Sequence, residues 1–305
     1  MRKAEVVNIQ RGGSSDISYA DYDITILAEG DSWFSWGELN LMPSSNILEQ
    51  LRFPKRSLVV NYAYAGDTTR RIVDFFTNGA FFVEMRSQRY SAILLSGGGN
   101  DLIDALYDPT ADKPLILKRS EHSDPSSPNA YIDAEALDRL MHYISANFKA
   151  IFDYRKQEPA ANLHTPIFLH TYDYPTPRNA PAELLGHPMR GPWLLPALVA
   201  VNAPEQLYND ITRLVFDRLA ETLLSLADES EGIYVVDTRA SLAPAADHST
   251  GSDGDWLNEI HPNIQGYEKI AARIAAEIID IREAVPSMPM PPVLKAMDKT
   301  HSLPA

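Results

Sequence analysis

Five short stretches of the chain carry side chains able to act as nucleophile, base or hydrogen-bond donor, and each ends or follows an apolar run or precedes a helix. The first is Glu29-Gly30-Asp31-Ser32-Trp33, directly after Ile26-Leu27-Ala28. A glycine turn followed at once by serine projects a hydroxyl from a strand edge toward a ligand crevice. By itself Gly-Asp-Ser equally suits a plain turn or a helix N-cap. In Tyr64-Ala65-Gly66-Asp67, Gly66 offers a backbone N–H with no side chain in the way. Ser96-Gly97-Gly98-Gly99-Asn100-Asp101 is a flexible turn whose Asn100 amide can donate toward the same crevice. His170-Thr171-Tyr172-Asp173-Tyr174-Pro175 places His170, Tyr172 or Asp173 either near substrate or in a polar network at a strand end. Asp255-Trp256-Leu257-Asn258-Glu259-Ile260-His261-Pro262-Asn263 sets a histidine just before a helix, able to accept a proton from Ser32.

Strands and helices must bring these stretches together. Runs rich in Val, Ile and Leu over 24–29, 58–62, 91–96, 166–171 and 232–237 predict five strands, and several are nearly continuous in apolar residues. That pattern marks a parallel sheet covered by helices on both faces. Leu137, Leu140, Met141, Ile144, Phe148 and Ile151 repeat at three and four, as do Leu207, Ile211, Leu214 and Val215, so both are core-facing helical stripes. A last helix begins beyond Pro262, carries Ile270, Ile274, Ile278 and Ile281, and ends before Pro286. The proline-rich tail over 286–305 cannot continue it. Two long loops, 108–132 and 172–204, each follow a predicted strand and so belong at the carboxyl edge of the sheet. Within the second, the apolar segment Gly186 to Pro204, including Trp193, reads as a wall or lid over the crevice, or as a contact between subunits. No repeat or linker is visible, so residues 1–305 are expected to form a single domain with its core over about 24–282.

Composition removes several function classes. The 305 residues carry 41 acidic against 27 basic side chains, a net charge of -14, which repels phosphate backbones and anionic lipids. No nucleic-acid partner is expected. With no cysteine there is no disulfide, thiolate metal site or cysteine nucleophile. His122, His142, His164 and His248 lack metal-ligand spacing, so neither a metal nor another cofactor is expected. The opening residues never reach the apolar run of a secretion signal, and the stretch 191–204 is broken by prolines and too short to span a membrane. The expectation is a soluble, cytoplasmic protein.

Taken in order, Gly30-Asp31-Ser32, Gly66, Gly98-Gly99-Asn100-Asp101 and His261 resemble the four blocks of the SGNH (GDSL-type) hydrolases, and the likeness extends over 24–282. The resemblance implies a flavodoxin-like three-layer α/β/α sandwich and hydrolysis of acyl esters, on small molecules or glycans. It implies Ser32 as nucleophile, His261 as general base, and the Ser32 N–H, Gly66 N–H and Asn100 amide as an oxyanion hole. Trp33, Phe34 and Trp36 then either line an acyl or leaving-group pocket or close the core beneath the loop. Trp33, His170, Tyr172 and Trp193 are the candidates for contact with substrate. Asp67, Thr68 and Thr69 read as a helix cap, and Asp101 as a cap or a support for Asn100. One position departs from the family: an aspartate normally stands three residues before the histidine, and here it is Asn258. A neutral amide can orient the imidazole but stabilises its cation less well. Either Asn258 does the orienting, or Asp255 supplies the carboxylate, or turnover is weakened and the protein binds ligand on this fold. A metal-dependent phosphoesterase fits poorly, because the first strand ends in a serine turn rather than a paired Asp and His.

Overall fold

A computed structural model describes residues 1–9, 17–35, 45–106, 114–120, 126–184 and 187–284. Trp36, His122, Gly186, the 286–305 tail and parts of the 108–132 loop lie outside the described residues. The central sheet has six parallel strands: β1 (Glu5–Asn8), β2 (Ile24–Gly30), β3 (Ser57–Asn61), β4 (Ala92–Ser96), β5 (Ile167–His170) and β6 (Ile233–Val236). Their spatial order is β6-β5-β4-β2-β3-β1. Five match the runs read from the sequence; β1 is a sixth. It hydrogen-bonds to β3 at the sheet edge with Val6 and Val7 only partly buried, so its four residues lack a long apolar signature. The inner strands β3, β4 and β5 are buried at every position, because helices cover both faces. In register, Leu27 of β2 sits beside Val60 of β3 and Ile93 of β4.

Nine α-helices occur among the described residues: α1 (Ser32–Ser35), α2 (Ile47–Gln50), α3 (Thr69–Val73), α4 (Phe75–Ser87), α5 (Gly99–Leu106), α6 (Ala134–Arg155), α7 (Leu194–Ala200), α8 (Tyr208–Leu224) and α9 (Ile264–Ala284). On one face of the sheet α9 packs with α2; on the other α6 packs with α3, α4 and α8, giving the three-layer α/β/α sandwich. The stripe Leu137, Met141, Ile144, Phe148, Ile151 is buried on α6, and Ile270, Ile274 and Ile278 are buried on α9. Each such side chain contributes about 1.5–3 kcal/mol relative to exposure. The two long loops are partly structured. Leu117 bridges Ile132 within the first, and Pro128–Tyr131 form a 3-10 turn. The second holds an antiparallel pair, Ala182–Leu184 with His187–Arg190, followed by α7.

Candidate active site

The chain order of the strands determines which loops meet. From β2 the chain crosses to β3 on one side and then returns past β2 to β4 on the other, so the loops after β3 and β4 flank the turn after β2. That turn runs from Gly30 into Ser32, the first residue of α1. A Cβ on Gly30 would lie 2.6 Å from the Ser96 carbonyl oxygen, so β2 and β4 approach too closely here for any other residue. After β3, Gly66 adopts φ +86°, the left-handed region that glycine takes without strain, in a loop tied to the turn after β2 by the Tyr64 N–H, which donates to the Gly30 carbonyl at 3.0 Å. After β4, Asn100 is the second residue of α5, and its Nδ2 donates to the Asp67 carbonyl at 3.0 Å. An amide nitrogen has two hydrogens, so the second is free to serve a ligand. The Asp101 carboxylate accepts from the Thr69 N–H and hydroxyl, each at 2.8 Å, tying the start of α5 to the start of α3. Burial pushes the Asp101 carboxyl up to about 6.

His261 arrives from the loop between β6 and α9 and is 3 % exposed. Its Nε2 lies 2.9 Å from Ser32 Oγ, and its Nδ1 lies 3.0 Å from Asn258 Oδ1. The same Asn258 oxygen accepts the backbone N–H of His261 at 2.9 Å and of Ile260 at 3.1 Å. Backbone donors converging on one amide atom require it to be the oxygen, so Nδ1 of His261 carries the proton and Nε2 presents its lone pair to Ser32. The ring is therefore in the tautomer that can take the Ser32 proton. Burial holds its pKa down at about 3.

Asp255, the other candidate for the carboxylate, is engaged elsewhere. Its Oδ2 accepts from the Ala243 N–H at 2.6 Å and is ion-paired with Lys269. Between Asn258 and His261 sits Glu259, fully buried, whose role the sequence does not announce. Its carboxylate accepts the N–H groups of Arg178 at 3.1 Å, Leu194 at 2.8 Å, Leu195 at 2.9 Å and Trp193. The histidine loop is thereby fastened to the start of α7. Buried Arg178 adds donors to the carbonyls of Asn258, at 2.9 Å, and Gly251, at 2.5 Å. In sequence Glu259 is indistinguishable from a surface glutamate, so nothing there marks its role.

Ser32 and Asn100 open onto a narrow crevice whose wall includes Trp33, Ile103, Tyr172, Pro175 and Phe216. Trp33 is buried, and its Nε1 donates to the Ile260 carbonyl at 3.3 Å. Tyr172 shows a ring to the crevice while its hydroxyl donates to Asp31. His170 lies below the crevice, 2 % exposed, with its two ring nitrogens 2.9 Å from the Thr171 carbonyl and 3.0 Å from Ser96 Oγ. Trp193 stands edge-on to the His261 ring, with centroids 5.7 Å apart and an interplanar angle of 78°. Asp173 binds the N–H groups of Tyr174, Ala240, Ser241 and Leu242 and so closes a loop. Among the described residues no group of three or more His, Cys, Asp or Glu side chains is arranged to hold a metal ion.

The family model of the GDSL-like lipase/acylhydrolase family matches residues 30–269, which spans all four blocks. The chain belongs to this family. It is a carboxylic ester hydrolase. Among solved structures it is similar to the lipase Lip_vut3 from goat rumen metagenome, with 15 % identity, 83 % of this chain and 96 % of that chain covered, and TM-score 0.49. An extracellular lipase from Streptomyces rimosus matches at 15 % identity, 83 % and 99 % coverage and TM-score 0.45. The acetylxylan esterase Axe2 from Geobacillus stearothermophilus matches at 16 % identity, 84 % and 94 % coverage and TM-score 0.44. No curated protein matches the chain.

Proposed function

We propose that the protein hydrolyses acyl esters of small molecules or glycans through an acyl-enzyme on Ser32. The observation that carries this reading is the chain of contacts from Ser32 Oγ to His261 Nε2, at 2.9 Å, and from His261 Nδ1–H to Asn258 Oδ1, at 3.0 Å. As Ser32 Oγ attacks the ester carbonyl carbon, its proton passes to His261 Nε2 and the carbonyl oxygen becomes an oxyanion. The Ser32 N–H, the Gly66 N–H and the second Asn100 amide hydrogen receive that oxyanion, each donor contributing about 3 kcal/mol at the transition state. Collapse breaks the bond to the alcohol, which leaves with the proton from His261. Water then attacks the acyl-enzyme, giving its proton to His261, and Ser32 recovers one as the acid departs. Asn258 keeps the imidazole in the working tautomer and brings no charge to its cation.

A fluorophosphonate probe tests the reading: wild type is labelled at Ser32, and Ser32→Ala and His261→Ala are not. Against nitrophenyl esters of increasing acyl length, each variant loses most activity, and the double variant loses hardly more than either single one. Failure of labelling with retained ligand binding would instead mark a binding protein on a hydrolase fold, the reading that Asn258 favours.

A further inference from the structure

Behind the nucleophile turn lies a set of buried polar groups that the reaction above does not use. Asp31, Ser96, His170 and Tyr172 are each 3 % exposed or less. Asp31 Oδ1 accepts the Trp33 N–H at 3.0 Å and lies 2.9 Å from Ser96 Oγ, while Oδ2 accepts the Tyr172 hydroxyl. Ser96 Oγ in turn lies 3.0 Å from His170 Nε2 and 3.3 Å from the Tyr172 oxygen.

The Thr171 carbonyl, 2.9 Å from His170 Nδ1, only accepts, so Nδ1 carries a hydrogen. A neutral His170 then faces Ser96 with the Nε2 lone pair, and the one Ser96 hydrogen must fill that contact. The 2.9 Å contact between Ser96 Oγ and Asp31 Oδ1 is left with two lone pairs facing each other if Asp31 is ionised. Tyr172 cannot supply the missing hydrogen, because its own occupies the contact with Oδ2. The cluster therefore needs one proton more than a carboxylate and a neutral imidazole provide.

We propose that Asp31 holds this proton, so that Asp31, Ser96 and His170 form an uncharged positioning network directly behind Ser32. The alternative location, on His170, would bury an imidazolium and a carboxylate bridged by a serine, with both charges removed from water. The groups facing Asp31 are the Tyr172 hydroxyl from the loop after β5, the Ser96 hydroxyl from β4 and the buried Tyr267 from α9, with His170 one hydroxyl further on behind Ser96; none is a cation. Burial raises the Asp31 carboxyl and pushes His170 down to about 4, so each group is held in its uncharged form. The consequence for the reaction rests on Ser32 being the nucleophile. A carboxylate one residue behind it would oppose the oxyanion, whereas a neutral acid shapes the turn and leaves the donors unopposed.

Infrared difference spectroscopy with 13C-labelled aspartate reads the proton directly. At pH 7 the wild type and Ser32→Ala should both show a protonated-carboxyl stretch that Asp31→Asn lacks, and 15N NMR should show His170 neutral with hydrogen on Nδ1. His170→Phe, which suits a site lined by Trp33 and Phe34, removes the lone pair that takes the Ser96 hydrogen. Ser96 then donates to Asp31, the band disappears, kcat falls about tenfold with KM little changed, and the acid limb of the pH profile moves upward. A wild type without the band, or with an imidazolium at position 170, overturns the proposal whether or not the variant folds. Full turnover by Ser32→Ala with the band intact would overturn the serine reading and leave this one standing.

Discussion

Asn258 is where the site is most open to change. Its oxygen already receives three N–H groups, and a carboxylate of the same shape would receive the same three. Because the tautomer is correct to begin with, Asn258→Asp adds only charge, and the expected gain in kcat is roughly tenfold rather than the far larger loss seen when a tautomer is wrong. In the proposed reaction the pH dependence follows from His261, which takes the proton in its neutral form and whose pKa burial pushes down to about 3. The acid limb of kcat/KM should therefore lie well below the ordinary imidazole range, with activity kept as pH falls until that lowered value is reached. Asn258→Asp shifts the limb upward; a pH-rate profile of both forms checks the sign. Asp255→Asn should leave kcat near wild type, since that carboxylate serves Lys269 and the Ala243 N–H. A loss of several orders of magnitude would restore Asp255 to the histidine. Asn100→Ala should lower kcat by about 100 to 1,000-fold with little change in KM, measured at saturating ester.

The element that most directly supports the histidine loop is α7. Its first N–H groups end on Glu259, and Trp193, just ahead of it, packs against the His261 ring. Glu259→Gln leaves fewer acceptor lone pairs for four backbone donors, and buried donors without partners cost about 1–3 kcal/mol each. The expected result is a lower urea midpoint together with a lower kcat, because the loop that places His261 loosens with the helix. Trp193→Ala should reduce kcat about tenfold for short and long acyl chains alike, as the contact is with the base rather than with the pocket wall. A loss confined to long chains would make Trp193 part of the acyl site after all.

The whole molecule carries the cost of keeping two histidines buried. Unfolded histidine titrates near 6.5, whereas His170 and His261 hold out to about 4 and about 3 in the folded chain. Between those values the unfolded state binds more protons, so their contribution to stability is complete above 6.5 and is lost as pH falls through the window. Asp101, raised to about 6, works in the opposite sense: its proton favours the folded state below that value. Net stability mixes both, so the test is a difference. His261→Gln should gain on the wild type in urea midpoint as pH drops from 7 to 4.5; a constant gap would mean the ring titrates alike folded and unfolded.

Much of this architecture is legible along the chain because it is local. Apolar runs and periodicity mark β2 to β6 and the faces of α6, α8 and α9, since burial on a repeating geometry imposes a repeating pattern. The edge strand β1 carries no such signature, because its end residues are exposed and its two valines only partly buried. Ser32, Gly66, Asn100 and His261 stood out because each sits in a compact motif at a strand end or helix start. What separates Asn258 from Asp255, and turns His170 from a crevice residue into a buried one, is the partner each finds far along the chain: Lys269 for Asp255, Ser96 for His170. The same holds for Glu259, whose donors lie at 178 and 193–195. Composition and spacing name the groups that can do chemistry, but protonation, orientation and charge depend on what surrounds them, and only the packed sheet and its loops supply those surroundings.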